Sequence, residues 1–442
     1  MKLRKLQTSL HAKAKAEPSF RFYSLWDKVC REDVLREAYR QCRLHGGVAG
    51  LDGQSFEAIE SQGLERWLGN LREELRTKQY RPQPLLRVWI PKSTGGERPL
   101  GIASIRDRVA QAAMHLVLSP IFEPDLPSQQ YGFRPGLDAK LAVRRVYYHL
   151  TYHERRDVVD ADLSDYFGTI PHGPLLKCVA RRVADGQVLA TIKAWLCAPV
   201  VERVKRDVKR TTEARDTKRG VPQGTVVGPL LANLYFRRFV LAWHRLGLAS
   251  KLDAHIVNYA DDLVICCRPR NGRAAMREMR RLMTRLGLQV NERKTRLVQV
   301  PEGRFDFLGY TFGRFYGRGG VPYIGTQPSQ KAVSRAVRRI HEETSRRWNL
   351  TSAEERVREL NWILRGWSGY FNQGPVLHAY DKIRQYTEQR FRRWLVKKHK
   401  QRGTGYRRYP DEYLYKTLGL FRLPSRRADL PRAKGMMLCP KA

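Results

Sequence analysis

The chain has 442 residues, room for roughly three domains at about 150 residues each, and its 83 Lys and Arg against 43 Asp and Glu leave a net charge of +40. With 42% hydrophobic and 10% aromatic residues it can build a core, so a folded body this basic is expected to meet polyanions, each docked Lys or Arg releasing a counterion condensed on a phosphate backbone. The longest apolar stretches, such as Val226 to Phe236, are too short to span a bilayer, which excludes an integral helical membrane protein.

The first twenty residues are basic without an apolar block of signal-peptide length, so an intracellular, cytoplasmic protein is expected. Cys30, Cys42, Cys178, Cys197, Cys266, Cys267 and Cys439 form no CxxC pair and read as reduced small hydrophobes. From Ser24 to Arg43 the residues Leu25, Trp26, Val29, Val34, Leu35 and Ala38 recur at helical spacing, and Gly46-Gly47 stops the pattern. Arg87 to Ile102 reads as two β-rich runs around a Gly95-Gly96 turn, and Asp107 to Leu118 returns to helical periodicity. Three buried strands follow: Val158-Val159 before Asp162, then His255 to Ala260 and Leu263 to Cys267 on either side of Asp261-Asp262. A helix is predicted from Arg273 to Leu288.

After about Gln327 the strand signals disappear, and helices are predicted over Ser329 to Trp348, Ser352 to Phe371 and Val376 to Lys400. No short repeat and no long linker separates modules, so the expected fold class is an α+β body carrying an all-helical appendage. From Pro328 to Ala442 there are 27 Lys and Arg against 10 Asp and Glu, interleaved with Trp348, Trp362, Trp367, Tyr370, Tyr380, Tyr386 and Trp394. Basic and stacking groups together suit RNA or DNA. Taken one at a time, most of these aromatics read more readily as helix-packing core.

The run NYADDLVI places two adjacent carboxylates at a turn between apolar strands, and DADLSDYF ends another apolar strand at Asp162. Three acids with no nearby His or Cys suit a hard divalent cation such as Mg²⁺, and two such ions can clamp the attacking and leaving oxygens of phosphoryl transfer. Acidic residues also fill hairpin turns for local reasons, so the pair alone leaves both readings open.

The order of the motifs decides between them. GLDG (Gly50 to Gly53), IPKSTGGERPLGI (Ile90 to Ile102), YGFRPG (Tyr131 to Gly136), DADLSDYF (Asp160 to Phe167), GVPQG (Gly220 to Gly224), YADD (Tyr259 to Asp262), NERKT (Asn291 to Thr295) and FLGYTF (Phe307 to Phe312) follow one another along almost the whole chain. This series resembles the group II intron reverse transcriptase/maturase family of bacterial type. The resemblance implies right-hand polymerase fingers and palm, with an antiparallel palm sheet, over residues 51–327, after an N-terminal basic extension and helix over 1–50. It further implies a helical thumb and maturase domain over 328–400 and a basic DNA-binding segment over 401–442.

By the same resemblance Asp162, Asp261 and Asp262 hold two Mg²⁺ ions with the backbone carbonyl of Leu163, and Lys294 protonates departing pyrophosphate. Lys92 and Arg98 fold over the incoming dNTP, Phe167 lies under its sugar, and Gln223 contacts it. Phe307, Leu308 and Gly309 match the primer grip. Arg365, Trp367 and Tyr370, in NWILRGWSGYF, match the RNA-binding signature of the maturase region, although Trp367 and Tyr370 also read as helix core. Gly168 and Gly228 depart from the family's usual Asp and Ser.

Implied partners are group II intron RNA, an RNA template and a DNA target or primer. With only Cys439 near its end, the chain is not expected to carry the Cys- and His-bearing endonuclease of many relatives. Three rival readings are an intron-free reverse transcriptase in DNA repair or phage defence, a splicing-only RNA-binding factor, and binding to a membrane surface by charge alone.

Overall fold

The computed structural model describes residues 2–91, 96–204, 207–317 and 319–425. They fall into two compact units, one drawn from the residues up to Asp138 with Val159–Leu297, the other from Ala139–Val158 with the residues from Val298 onward. The fold class is α+β. Among the described residues eleven strands run in chain order as β1 (Leu85–Pro91), β2 (Glu97–Ile102), β3 (Asp157–Asp162), β4 (Val200–Val204), β5 (Asp207–Thr211), β6 (Ala254–Tyr259), β7 (Asp262–Cys267), β8 (Arg296–Gln299), β9 (Phe305–Phe307), β10 (Tyr310–Tyr316) and β11 (Pro322–Pro328).

The helix expected over Ser24 to Arg43 is two helices, Trp26–Val29 and Glu32–His45. Arg31 between them is extended, and Glu32 and Asp33 occupy the first turn of the second helix, where carboxylates complement the N-terminal dipole. The basic N terminus is itself a helix, Lys2–Ala16, with Leu10 and Ala14 buried. Arg182, fully buried, donates to Ala14 O and Glu17 O at 2.7 and 2.8 Å. A buried guanidinium needs such partners, and a helix C terminus has carbonyls to offer.

The helix Ile105–Phe122 runs through the core of the first unit, with Val109, Ala113, Met114 and Val117 shielded from solvent. Its one buried acid, Asp107, accepts from Tyr80 Oη at 2.6 Å and from the amide of Gln83 at 2.8 Å. Burial raises the Asp107 carboxyl above the usual range while those donors oppose the rise.

β1 and β2 form the expected antiparallel hairpin, with Ile90 opposite Arg98. The sheet has the order β2-β1-β4-β5, with β4 parallel to β1. β4 and β5 were not anticipated: they are short, and they hold their place through pairing, β4 with β1 and β5 with β4. A second sheet has the order β6-β7-β3-β8.

In the second unit β11-β10-β9 form a meander, and strand structure stops at Pro328. The helices Gln330–Glu343, Ala353–Tyr370 and Leu377–Lys398 follow. The first is shorter than predicted, because the chain leaves it at Thr344 and reaches Trp348 through a separate turn, Arg346–Trp348. Ser352 and Glu355 close a capping box at the second. Ile340, Leu360, Leu364, Ile383, Phe391 and Leu395 pack together, joined by Leu414, Leu420 and Leu423 from the segment that follows. Among the described residues no helix is long and apolar enough to cross a membrane.

Candidate active site and nucleic-acid interface

β6 and β7 are joined by a two-residue turn, Ala260-Asp261, closed by the pair Tyr259 and Asp262. Ala260 has φ 56°, a left-handed conformation that a side chain resists, so the turn needs outside support. Asn258, fully buried, supplies it by donating from Nδ2 to Ala260 O at 2.8 Å and Asp262 O at 3.1 Å. Tyr131 N bonds to Asn258 O at 2.8 Å, and the next residue is Gly132. A Cβ there would lie 2.6 Å from Ala260 N, so only glycine permits this approach. Asn233 Nδ2 in turn holds Gly132 O at 2.7 Å.

Asp162 ends β3, the neighbour of β7 in the sheet. The NERKT turn wraps it: Asn291 N donates to Asp162 O at 2.8 Å, Asn291 Nδ2 to Oδ2 at 3.2 Å, and Lys294 Nζ reaches Oδ2 at 3.0 Å. The amide of Asp162 bonds to Thr295 Oγ1 at 3.3 Å. Leu163 is buried and bridges to Val290. The flanking bonds use Ser164 N and Asp162 O, not the Leu163 carbonyl.

Loss of hydration pushes the Asp262 carboxyl up to about 7, with the negative charges of Asp261, Asp162 and Asp160 adding to the rise and Lys294 opposing it. Asp261 is raised mainly by the same loss of hydration and further by Asp162, against its backbone hydrogen bond, Lys294 and Arg98. The acids thus form an oxygen-only donor set with surplus negative charge, which suits a hard dication. Among the described residues no three His, Cys, Asp or Glu side chains enclose an ion unaided, and Asp162 is turned toward Lys294 and Asn291.

Of the dNTP candidates, Lys92 lies outside the described residues. Arg98 is exposed on β2, and its charge acts on Asp261. Phe167 is half-buried and its carbonyl accepts from Val221 N at 2.8 Å, which ties it to the PQG turn. Gln223 O accepts from Gly101 N at 2.8 Å, and its Nε2 lies 3.4 Å from Asp165 Oδ1. A Cβ at Gly168 would fall 2.0 Å from Asp165 Oδ2, the end of an exposed side chain that can turn aside. Asp165, Gly168, Gln223, Gly101 and Arg219 face a cleft of about 220 Å³.

In the second unit Leu308 and Gly309 form the turn between β9 and β10, both at positive φ, 49° and 79°. Tyr370 Oη donates to Leu308 O at 2.8 Å, and Tyr310 Oη donates to Tyr370 O at 2.7 Å. Trp367 packs against Phe371 and Tyr380, with ring centroids 4.7 and 5.7 Å apart. Arg365 is exposed and lies 4.7 Å over the ring of Phe421. One turn earlier Asn361 donates to Gly419 O at 2.8 Å and accepts from Phe421 N.

Asn258, Gly132, Asn233, Asn291, Thr295 and Asn361 received no role from the sequence. A lone asparagine in an apolar run, as in GPLLANLYF, is a signal that could have found Asn233, because a buried amide must find partners.

An α+β unit with paired acids at a hairpin tip, followed by a basic helical unit, defines the class of nucleic-acid polymerases with an attached helical domain. The reverse transcriptase (RNA-dependent DNA polymerase) family matches residues 90–312, and the group II intron, maturase-specific domain matches residues 333–410. The chain belongs to the group II intron reverse transcriptase/maturase family and is an RNA-directed DNA polymerase with a maturase domain. It is 32% identical over 368 residues to Protein YkfC of Escherichia coli, covering 75% of this chain and 94% of that protein. It is 27% identical over 221 residues to an uncharacterized 91 kDa protein in the cob intron of Schizosaccharomyces pombe, covering 48% of this chain and 25% of that one. With the group II intron-encoded protein LtrA of Lactococcus lactis the identity is 26% over 226 residues, 50% of this chain and 35% of LtrA. The family generally works with divalent metal ions.

Proposed function

We propose that residues 51–327 copy RNA into DNA by metal-assisted phosphoryl transfer and that the helical domain over 328–400 binds group II intron RNA and supports its splicing and mobility. The observation that carries the reading is the place of Asp162 at the end of β3, the neighbour of β7, near enough for its charge to act on Asp261 and Asp262 at the β6–β7 turn. Asp162, Asp261, Asp262 and the Leu163 carbonyl would hold two Mg²⁺ ions, which supply charge neutralisation at the reacting phosphate. Arg98 and Lys92 neutralise the triphosphate, Phe167 underlies the sugar, and Gln223 positions the nucleotide. Lys294 Nζ lies 3.0 Å from Asp162 Oδ2, a place from which it would serve departing pyrophosphate as general acid.

In this reading the β1–β2 hairpin belongs to the fingers, the β6-β7-β3-β8 sheet is the palm, and the helices from Gln330 to Lys398 are the thumb and maturase domain, with a basic DNA-binding segment after them. Phe307, Leu308 and Gly309 grip the primer, while exposed Arg365, beside Trp367, marks the face that meets RNA. The protein acts inside the cell on intron RNA, an RNA template, a DNA target or primer, and dNTPs. Primer extension on an RNA template tests the reading. Full-length cDNA is expected with Mg²⁺ and none with excess EDTA; synthesis that survives chelation, or no synthesis on RNA under any divalent metal, would contradict it.

A further inference from the structure

We infer that Tyr370 is a positioning residue for the primer terminus: its hydroxyl holds the Leu308-Gly309 turn in the conformation that receives the primer. The inference rests on the proposed grip role of that turn. A two-residue hairpin with both central residues at positive φ is a type I′ turn, which favours Asn-Gly because few other residues tolerate the first position. Here that position is Leu308, at φ 49°, and a γ-branched side chain there is strained. The turn therefore needs a brace that its own sequence does not provide.

The second unit supplies three. Tyr370 Oη donates to Leu308 O at 2.8 Å, Ser329 N donates to Gly309 O at 2.8 Å, and the ring of Phe371 lies 3.1 Å from where a Gly309 Cβ would stand. Tyr310, the first residue after the turn, returns the contact by donating to Tyr370 O at 2.7 Å. Tyr370 and the turn thus hold each other through two reciprocal phenol-to-carbonyl bonds, of which Tyr370→Phe removes one and leaves the other. The Tyr370 side chain is half-buried, with its hydroxyl on Leu308 O.

The test uses the full chain. Tyr370→Phe is expected to raise the KM for primer about tenfold, on the scale of one lost hydrogen bond, with kcat and primer-free affinity for template RNA each within twofold of wild type. Hydrogen exchange without nucleic acid is expected to accelerate at the amides of Phe307 to Thr311. In a double-mutant cycle the Tyr370→Phe penalty is expected to shrink to about twofold or less when measured on Leu308→Asn, because an Asn-Gly turn holds its own shape. An unchanged primer KM, unchanged exchange, or an equal loss of primer-free RNA affinity would overturn the inference. A wild-type chain that extends no primer would instead sink the functional reading, while the exchange measurement would still report on the brace.

Discussion

At the scale of single residues, the carboxylates carry the account's sharpest chemistry. A carboxyl raised to about 7 in the fold, against about 3.9 in an unfolded chain, binds its proton more tightly when folded. Stability of the metal-free protein therefore falls as pH climbs from about 4 toward 7 and stays low above. Asp262→Asn removes that dependence. It is expected to stabilise the metal-free protein by about 2 kcal/mol at pH 8, discounted for partial exposure, and to change it little at pH 4. Urea titrations at the two pH values check the sign, and equal effects at both would reject the raised carboxyl.

The sequence made Asp162, Asp261 and Asp262 legible because strands and turn residues announce themselves by period and composition. It left the supports illegible. Asn258 braces Ala260 and Asn291 braces Asp162 through contacts across 2 and 129 positions, and nothing in the local pattern distinguishes such an amide from a solvated one.

At the scale of elements, apolar period was a reliable guide where burial is one-sided or complete. The strands around the acids and the helices Ala353–Tyr370 and Leu377–Lys398 lie within a residue or two of expectation. It failed where a tertiary contact decides. β4 is held by β1 and β5 by β4, and the break at Arg31 comes where Glu32 and Asp33 start a new helix without any loss of apolar spacing.

The helix Ala353–Tyr370 also shows why a signature need not be one function. Near its middle Asn361 and Arg365 clasp Gly419 and Phe421, and at its end Tyr370 meets Leu308. Asn361→Ala leaves the Gly419 carbonyl and the Phe421 amide without their partner and is expected to cost about 1–2 kcal/mol. Denaturant unfolding measures it, with faster proteolysis around 419–423 as the local sign. A cost indistinguishable from zero would mean that the clasp is not formed in solution.

At the scale of the whole molecule, a net charge of +40 is matched to phosphate-rich partners, while Asp162, Asp261 and Asp262 lie at one hairpin tip and its neighbouring strand. A field that draws in polyanions does not by itself perform chemistry. In the proposed reading, polymerisation depends on the local reversal of sign at Asp162, Asp261 and Asp262, and RNA affinity on the basic surface elsewhere. The two are therefore separable by one substitution.

The most direct measurement is primer extension and RNA binding side by side in Asp261→Ala. Removing one carboxylate from the set is expected to cost about 4 kcal/mol or more in activation free energy, a rate loss of roughly a thousandfold. Affinity for template RNA should stay within twofold of wild type. Template-directed synthesis at near wild-type rate in that variant would contradict the assignment of this site.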